Sequence, residues 1–327
     1  MFNWRAKLFK LSLRFPFISK IIKVNDGFIE EPLKDDDWVF GASPLIKKVL
    51  QPDGQWTKFL PEDEKQQGYR VETMACTVFS FLNVLEMLAK RKEFGDWNKS
   101  DRFTAKLSGV SYNGNTQSRV MDSVRKLYGT VDEWVWPSNI DIFNWSQFYS
   151  VIPSDIQAKG FTFLNDYEVR YEAILTNASA LKEGLKYSPI YLAGYAWAES
   201  LGLYRSWGNS NHAFTLVGYV DGSHWLAYDS YSPYLKKLAW NYQFYYPKLI
   251  TLDKRGEQYN VNEVRKLIQR GWKYIIRAKS SGQIYELKTE GLKYISPQEW
   301  NKIAVQYASE QKILEGINEI DFNRLLS

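Results

Sequence analysis

From Thr77 to Ala89 nearly every position is apolar and neither Gly nor Pro interrupts, so the pattern predicts a helix buried on most sides rather than a one-faced surface helix. The polar, glycine-containing stretch Gln66-Gln67-Gly68-Tyr69-Arg70 precedes it as a turn. Two more helices follow. Ser100 to Leu107 is one, and Thr116 to Leu127, with Val120, Val124 and Leu127 at helical spacing, is the other. Gly129 then serves as the stop. Trp134-Val135-Trp136-Pro137 reads as an extended passage, Tyr167 to Tyr171 as extended, and Ala178 to Tyr187 as helical. From Pro189 the period becomes strand-like. Ile190 to Tyr195, His212 to Tyr219 and His224 to Tyr228 are short aromatic and branched runs, with Asp221-Gly222 at the centre of a turn between the last two. More strand follows from Leu238 to Leu252.

The ends of the chain differ from this middle. Residues 1–24 carry Arg5, Lys7, Lys10, Arg14, Lys20 and Lys23 and no acid, interleaved with apolar residues. That is a basic amphipathic arm suited to an anionic membrane surface or a partner's groove, or to packing as a helix on the domain. Its recurrent charges argue against a secretory signal and a spanning helix. Residues 25–61 begin with acidic runs at Glu30-Glu31 and Asp35-Asp36-Asp37. They read as a surface strap. Residues 253–327 form an α+β appendage, with helices near Val261 to Arg270, Pro297 to Tyr307 and Glu310 to Leu326 and strands Tyr274 to Ile276 and Gln283 to Leu287. The division expected is therefore 1–55, 56–252 and 253–327.

Composition narrows the chemistry. With 327 residues, 45% of them apolar, there is ample material for a large core. A net charge of +5 spread over this length gives no nucleic-acid signature, so the many aromatic residues are expected in the core and cleft rather than stacking on bases. One cysteine excludes a disulfide framework and a thiolate zinc site, and two histidines leave little for any other transition metal. Tyr112-Asn113-Gly114-Asn115 and Trp207-Gly208-Asn209 lack the spacing of a phosphate loop. No cofactor and no metal are expected.

Cys76 falls in the first turn of the buried helix, where free backbone N–H groups and the dipole favour an anion; a buried lone cysteine is otherwise a small hydrophobe. His212 follows it by 136 residues and Asp229 follows His212 by 17, the order of nucleophile, base and orienting group in a thiol hydrolase. The strand–turn–strand between them brings His212 and Asp229 together. His224 sits in the turn and is expected to be exposed and uninvolved.

Taken together, Gln67-Gly68, Cys76-Thr77-Val78-Phe79-Ser80, Ser100-Asp101-Arg102-Phe103, Asn113-Gly114-Asn115, His212-Ala213 through Val217-Gly218-Tyr219, and Trp225 leading to Asp229-Ser230 resemble the papain-like cysteine peptidases in order over residues 60–232. The resemblance implies an α+β, two-lobed papain-like fold, with the Cys76 helix in a helical lobe and His212 and Asp229 in an antiparallel β lobe. It implies a thiol peptidase acting on a protein or peptide, with Cys76, His212 and Asp229 catalytic and Gln67 in the oxyanion hole. Gly114 and Asn115 would line the substrate cleft, and the resemblance offers a pro-segment within residues 1–55 as the alternative to a surface strap. Three features depart from the family: Thr77 replaces Trp, Asp229 replaces Asn, and Gln67 lies nine residues before Cys76, which requires an extra loop. An acid can still accept from the imidazole and favours its charged form. The lack of other cysteines suits a bacterial or viral relative in the cytoplasm or a virion rather than a secreted one. An inactive scaffold of an assembly, or an amidase or acyl-transferase using the same three residues, are the other readings.

Overall fold

A computed structural model describes residues 20–21, 27–31, 39–40, 48–62, 71–138 and 142–255, together with four strands beyond them. The chain groups into two units, one of Met1–Phe40 with Val49–Asp253 and one of Gly41–Lys48 with Lys254–Ser327.

The first unit is built around helix α1, Cys76–Arg91, in which every residue from Cys76 to Ala89 is buried. Helices α2 (Asp101–Ser108) and α3 (Gln117–Asp122) pack on it from one side, and strands β3 (Ile190–Gly194) and β6 (His212–Val220) from the other. That explains the continuous apolar run: the helix has no solvent side to leave polar. Each fully buried Leu, Val or Phe contributes about 1.5–3 kcal/mol relative to exposure. Two polar side chains set how α1 sits on β6. The Ser80 and Thr215 hydroxyls lie 3.2 Å apart, and Thr215 donates to Ser80 O at 3.0 Å. Beyond the helix end, Lys92 bonds Leu252 O at 2.7 Å and Asp253 at 2.6 Å, which ties that end down as well.

Ser100 and Thr116 cap α2 and α3 through their side chains, and a π-helical turn, Ser123–Leu127, extends α3. Gly129, at φ +68°, follows that turn. Trp134-Val135-Trp136 is a turn and not an extended passage, because Val135 N bonds Asp132 O at 2.9 Å. Two further helices, α4 (Trp145–Phe148) and α5 (Ser154–Asp166), lead to β2 (Tyr167–Ala173) and α6 (Ala178–Leu185).

The nine-stranded sheet contains, besides β2, β3 and β6, β1 (Lys20–Ile21), β4 (Ala198–Ser200), β5 (Leu203–Arg205), β7 (His224–Tyr228), β8 (Leu235–Ala239) and β9 (Phe244–Lys254). Its order is β1-β4-β5-β8-β7-β6-β3-β9-β2. The β3/β6, β6/β7 and β7/β8 pairings are antiparallel, and β5/β8 is parallel. A tight turn with Ser223 N on Val220 O at 2.9 Å joins β6 to β7. The hairpin puts His212 at the head of one strand and Asp229 just past the end of its neighbour. His224, expected to be exposed, is half-buried and shares a 2.9 Å hydrogen bond with Ser223.

In the second unit a four-stranded sheet runs β12 (Gly291–Ile295), β11 (Ile284–Lys288), β10 (Tyr274–Arg277), β13 (Ile313–Ile317), with β13 parallel to β10. The expected helix over Glu310 to Leu326 is therefore wrong at β13. Spacings of four satisfy both a helical and a strand period, and Ile313 and Ile317 share a face either way. The helices expected near 261–270 and 297–307, and all of the basic arm except Lys20–Ile21, lie outside the described residues.

Candidate active site

The site assembles where the head of α1 meets the head of β6. Cys76 is the first residue of α1 and fully buried. The amides of a first helical turn have no partner inside the helix, which leaves the Cys76 N–H for a group outside it. Met74, two residues earlier, takes a left-handed backbone at φ 57°, and Glu72 accepts its N–H at 3.1 Å. A non-glycine residue pays about 1–2 kcal/mol for that conformation. The Tyr231 hydroxyl donates to the other Glu72 oxygen at 2.6 Å, and the Tyr149 hydroxyl to Thr73 O at 2.6 Å.

His212 is fully buried, and its Nε2 lies 2.6 Å from Asp229 Oδ1. Its Nδ1 has no aligned hydrogen bond, and besides Asp229 the group that acts on the ring is the Cys76 thiol. The imidazole thus stands between acid and sulfur. Burial alone would lower the proton affinity of the ring; the charge and hydrogen bond of Asp229, with those of Cys76, override it and push the pKa up to about 10. Burial would raise the Asp229 pKa, but His212 and Lys236 hold the carboxyl below its usual value. Each group keeps the other charged.

Asp229 has more support than a hairpin supplies. Its Oδ1 also accepts Ser230 N at 2.8 Å, and its Oδ2 accepts Trp197 Nε1 at 3.0 Å and Lys236 Nζ at 2.7 Å. Sequence reasoning missed Trp197, Tyr231, Glu72 and Lys236. For Lys236 a signal existed: the two-residue strand period puts it on the inward face with Leu238, while Leu235 and Lys237 face out. Trp197 precedes strands of three residues each, too short to leave a pattern.

An extended segment, Gly27–Glu31, lies across the site. Asn115 N donates to Gly27 O at 3.1 Å, and Ile29 N donates to Asn115 O at 3.0 Å. A Cβ added at Gly27 would stand 2.9 Å from Met74 O and 3.2 Å from Cys76 Sγ, so only glycine fits over the thiol. Gly114, at φ +84°, gives way on the other side; a Cβ there would lie 1.9 Å from Gly27 O. Phe28 is buried, its ring 6.0 Å from that of Tyr246. Glu30 accepts from the Ser210 hydroxyl at 2.6 Å, and Glu31 accepts Ser118 N at 3.1 Å and its hydroxyl more closely.

The structure therefore brings Cys76, His212 and Asp229 together, with Gly114 and the Asn115 backbone beside them. The Asn115 side chain is spent elsewhere, donating to Ser108 O at 3.0 Å and accepting Thr116 N at 2.9 Å. Gln67, expected in the oxyanion hole, lies outside the described residues. No helix among the described residues is long and apolar enough to cross a membrane. No group of three or more His, Cys, Asp or Glu among them is placed to hold a metal ion.

No protein-family profile and no curated protein sequence matches the chain. Solved structures do. The cysteine protease and lectin-like domains of Cwp84, a surface-layer-associated protein of Clostridium difficile, superpose with a TM-score of 0.53 at 13% identity, covering 88% of this chain and 64% of that one. The clostridial protease Cwp84 after propeptide cleavage gives 0.47 at 15%, covering 60% and 56%. Bromelain from Ananas comosus gives 0.46 at 16%, covering 61% and 96%. The chain thus spans less than two thirds of the length of either Cwp84 chain. At such identities the likeness is one of fold, and the first superposition carries it: an α+β chain with a buried cysteine helix against a mainly antiparallel sheet, this protein has the papain-like fold.

Proposed function

We propose that this chain is a cysteine peptidase held in a latent form by its own residues 27–31. The observation that carries the reading is the buried imidazole joined to Asp229 through Nε2, with its second nitrogen left to the Cys76 thiol at a helix head. Cys76 attacks the scissile carbonyl as thiolate, His212 protonates the leaving amine, and Asp229 holds the ring's tautomer. The Cys76 N–H, with Gln67 as the expected second donor, stabilises the oxyanion, each donor being worth about 2.7–4 kcal/mol in comparable sites. Peptide is the favoured substrate class because the groove already accommodates an extended backbone, hydrogen-bonded to both main-chain groups of Asn115.

The Gly27 carbonyl is bonded to the groove wall by Asn115 N, so the strap covers the nucleophile without offering it that carbonyl. Substituting Phe28→Asp places a charge where an apolar ring is buried and frees the groove. The full-length Phe28→Asp chain is expected to hydrolyse an unfolded protein, and the same chain with Cys76→Ala to cleave nothing. Equal cleavage by both would end the reading. Hydrolysis should fall as pH rises through about 10, where the imidazolium that protonates the leaving group is lost.

A further inference from the structure

Lys236 is 1% exposed, an unusual place for an ammonium. Its three hydrogens are all spent: on Asp229 Oδ2 at 2.7 Å, on Pro233 O at 2.7 Å, and on Tyr231 O. The cation lies 5.2 Å from the Trp197 ring centre and 5.7 Å from that of Tyr204. Pairing of β8 with β7, Lys236 opposite Ala227, aims the side chain at the end of β7, where Asp229 follows. Burying an ion costs several kcal/mol, so a fully satisfied buried lysine matters chiefly for the charge it compensates.

Several groups act on His212 or on its acid. Cys76 comes from α1 and Asp229 from the end of β7. Tyr231, its ring 5.5 Å from the imidazole, has Glu72 behind its hydroxyl. Tyr204 and Tyr242 feel Asp229 and are pushed up, first by burial, so they stay neutral. Asp229 is held in its charged form by His212 and Lys236, and Lys236 is the cation bonded to its second oxygen.

We propose that Lys236 is a positioning residue for His212: it cancels the charge of Asp229, so that the ring meets a firm but nearly neutral hydrogen-bond acceptor and can release its proton to the leaving amine. The inference rests on the reading of Cys76 and His212 as the reacting pair. A bare carboxylate would hold the imidazolium proton more tightly, and a general acid works best when its proton affinity is matched to the working pH. Asp229 with Lys236 thereby does what a neutral amide does alone.

The test is an NMR titration of the two histidine rings in the full-length chain, with His224 as internal reference. Lys236→Met is expected to raise the proton affinity of His212 about tenfold or more, moving its midpoint up by about one pH unit. Asp229→Asn should lower it, and the double variant should return to within about half a unit of the native chain. In the Phe28→Asp chain, Lys236→Met should lower kcat with KM unchanged, and adding Asp229→Asn should restore it. A His212 midpoint that does not move in folded Lys236→Met would overturn the proposal. If that variant fails to fold, a double variant with the same midpoint as Asp229→Asn alone would overturn it equally. The titration needs no turnover, so a chain that cleaves nothing would refute the peptidase reading and leave this result standing on its own.

Discussion

Cys76 and His212, the two halves of the proposed reacting pair, are held in opposite ways. On the imidazole side everything is over-determined: Asp229 accepts four donors, Lys236 spends all three hydrogens, and every participant is buried. On the thiol side the neighbours are a left-handed Met74, one carboxylate, and a strap seated by a few hydrogen bonds and a single aromatic ring. On the proposed reading the base is fixed by the fold, and access to the thiol is governed by residues 27–31. If residues 27–31 are displaced, none of the groups that hold the His212 ring has to move with them.

That contrast can be broken most sharply from the imidazole side. Asp229→Ala strands a buried ammonium and removes the partner of the ring; about 3–5 kcal/mol of stability is expected to go with it, read as a shift in the denaturant midpoint. Loss of less than 1 kcal/mol would mean the network is not the anchor described here. Trp197→Phe deletes one donor to Asp229 while keeping the bulk of the ring, and should cost about 1–3 kcal/mol. Ser80→Ala, at the α1–β6 contact, should cost about 1 kcal/mol.

The strap should respond differently. Glu31→Gln weakens its hold on Ser118 and should leave the unfolding midpoint within about 0.5 kcal/mol, while making Cys76 measurably more accessible to small thiol reagents. A variant that changed stability and accessibility in step would contradict the division between a fixed and a removable side.

The pH dependence sharpens the same comparison. The folded His212 pKa, at about 10, lies above the value of roughly 6.5 in an unfolded chain, so its contribution to stability is complete below about pH 6.5 and is lost as pH rises towards 10. Asp229 is held below its unfolded value, so its contribution is present above about pH 4 and disappears as acid protonates it. Stability measured against pH should form a plateau between those limits, and Asp229→Asn should remove much of the alkaline slope.

How legible this was in the sequence depends on where each residue sits. Cys76, His212 and Asp229 mark the edges of strong periodic elements, and the buried helix and the β6–β7 hairpin announce themselves by pattern. The strap and Lys236 do not. Gly27 matters because of what passes beneath it, a through-space fact with no local signature. Lys236 reads as a surface lysine unless its phase with Leu238 is taken seriously. The helix α5 was missed because only Gly160 and Phe163 of it are buried, too few to make a stripe.

The most direct measurement of the central claim is the rate at which a small neutral alkylating reagent modifies Cys76 near pH 7. Native chain, Phe28→Asp, and Phe28→Asp with His212→Ala would be compared, with folding verified for each. A poised thiolate beneath a removable strap predicts slow modification in the first, a rate higher by about tenfold or more in the second, and loss of most of that gain in the third. The same slow rate in all three would contradict it.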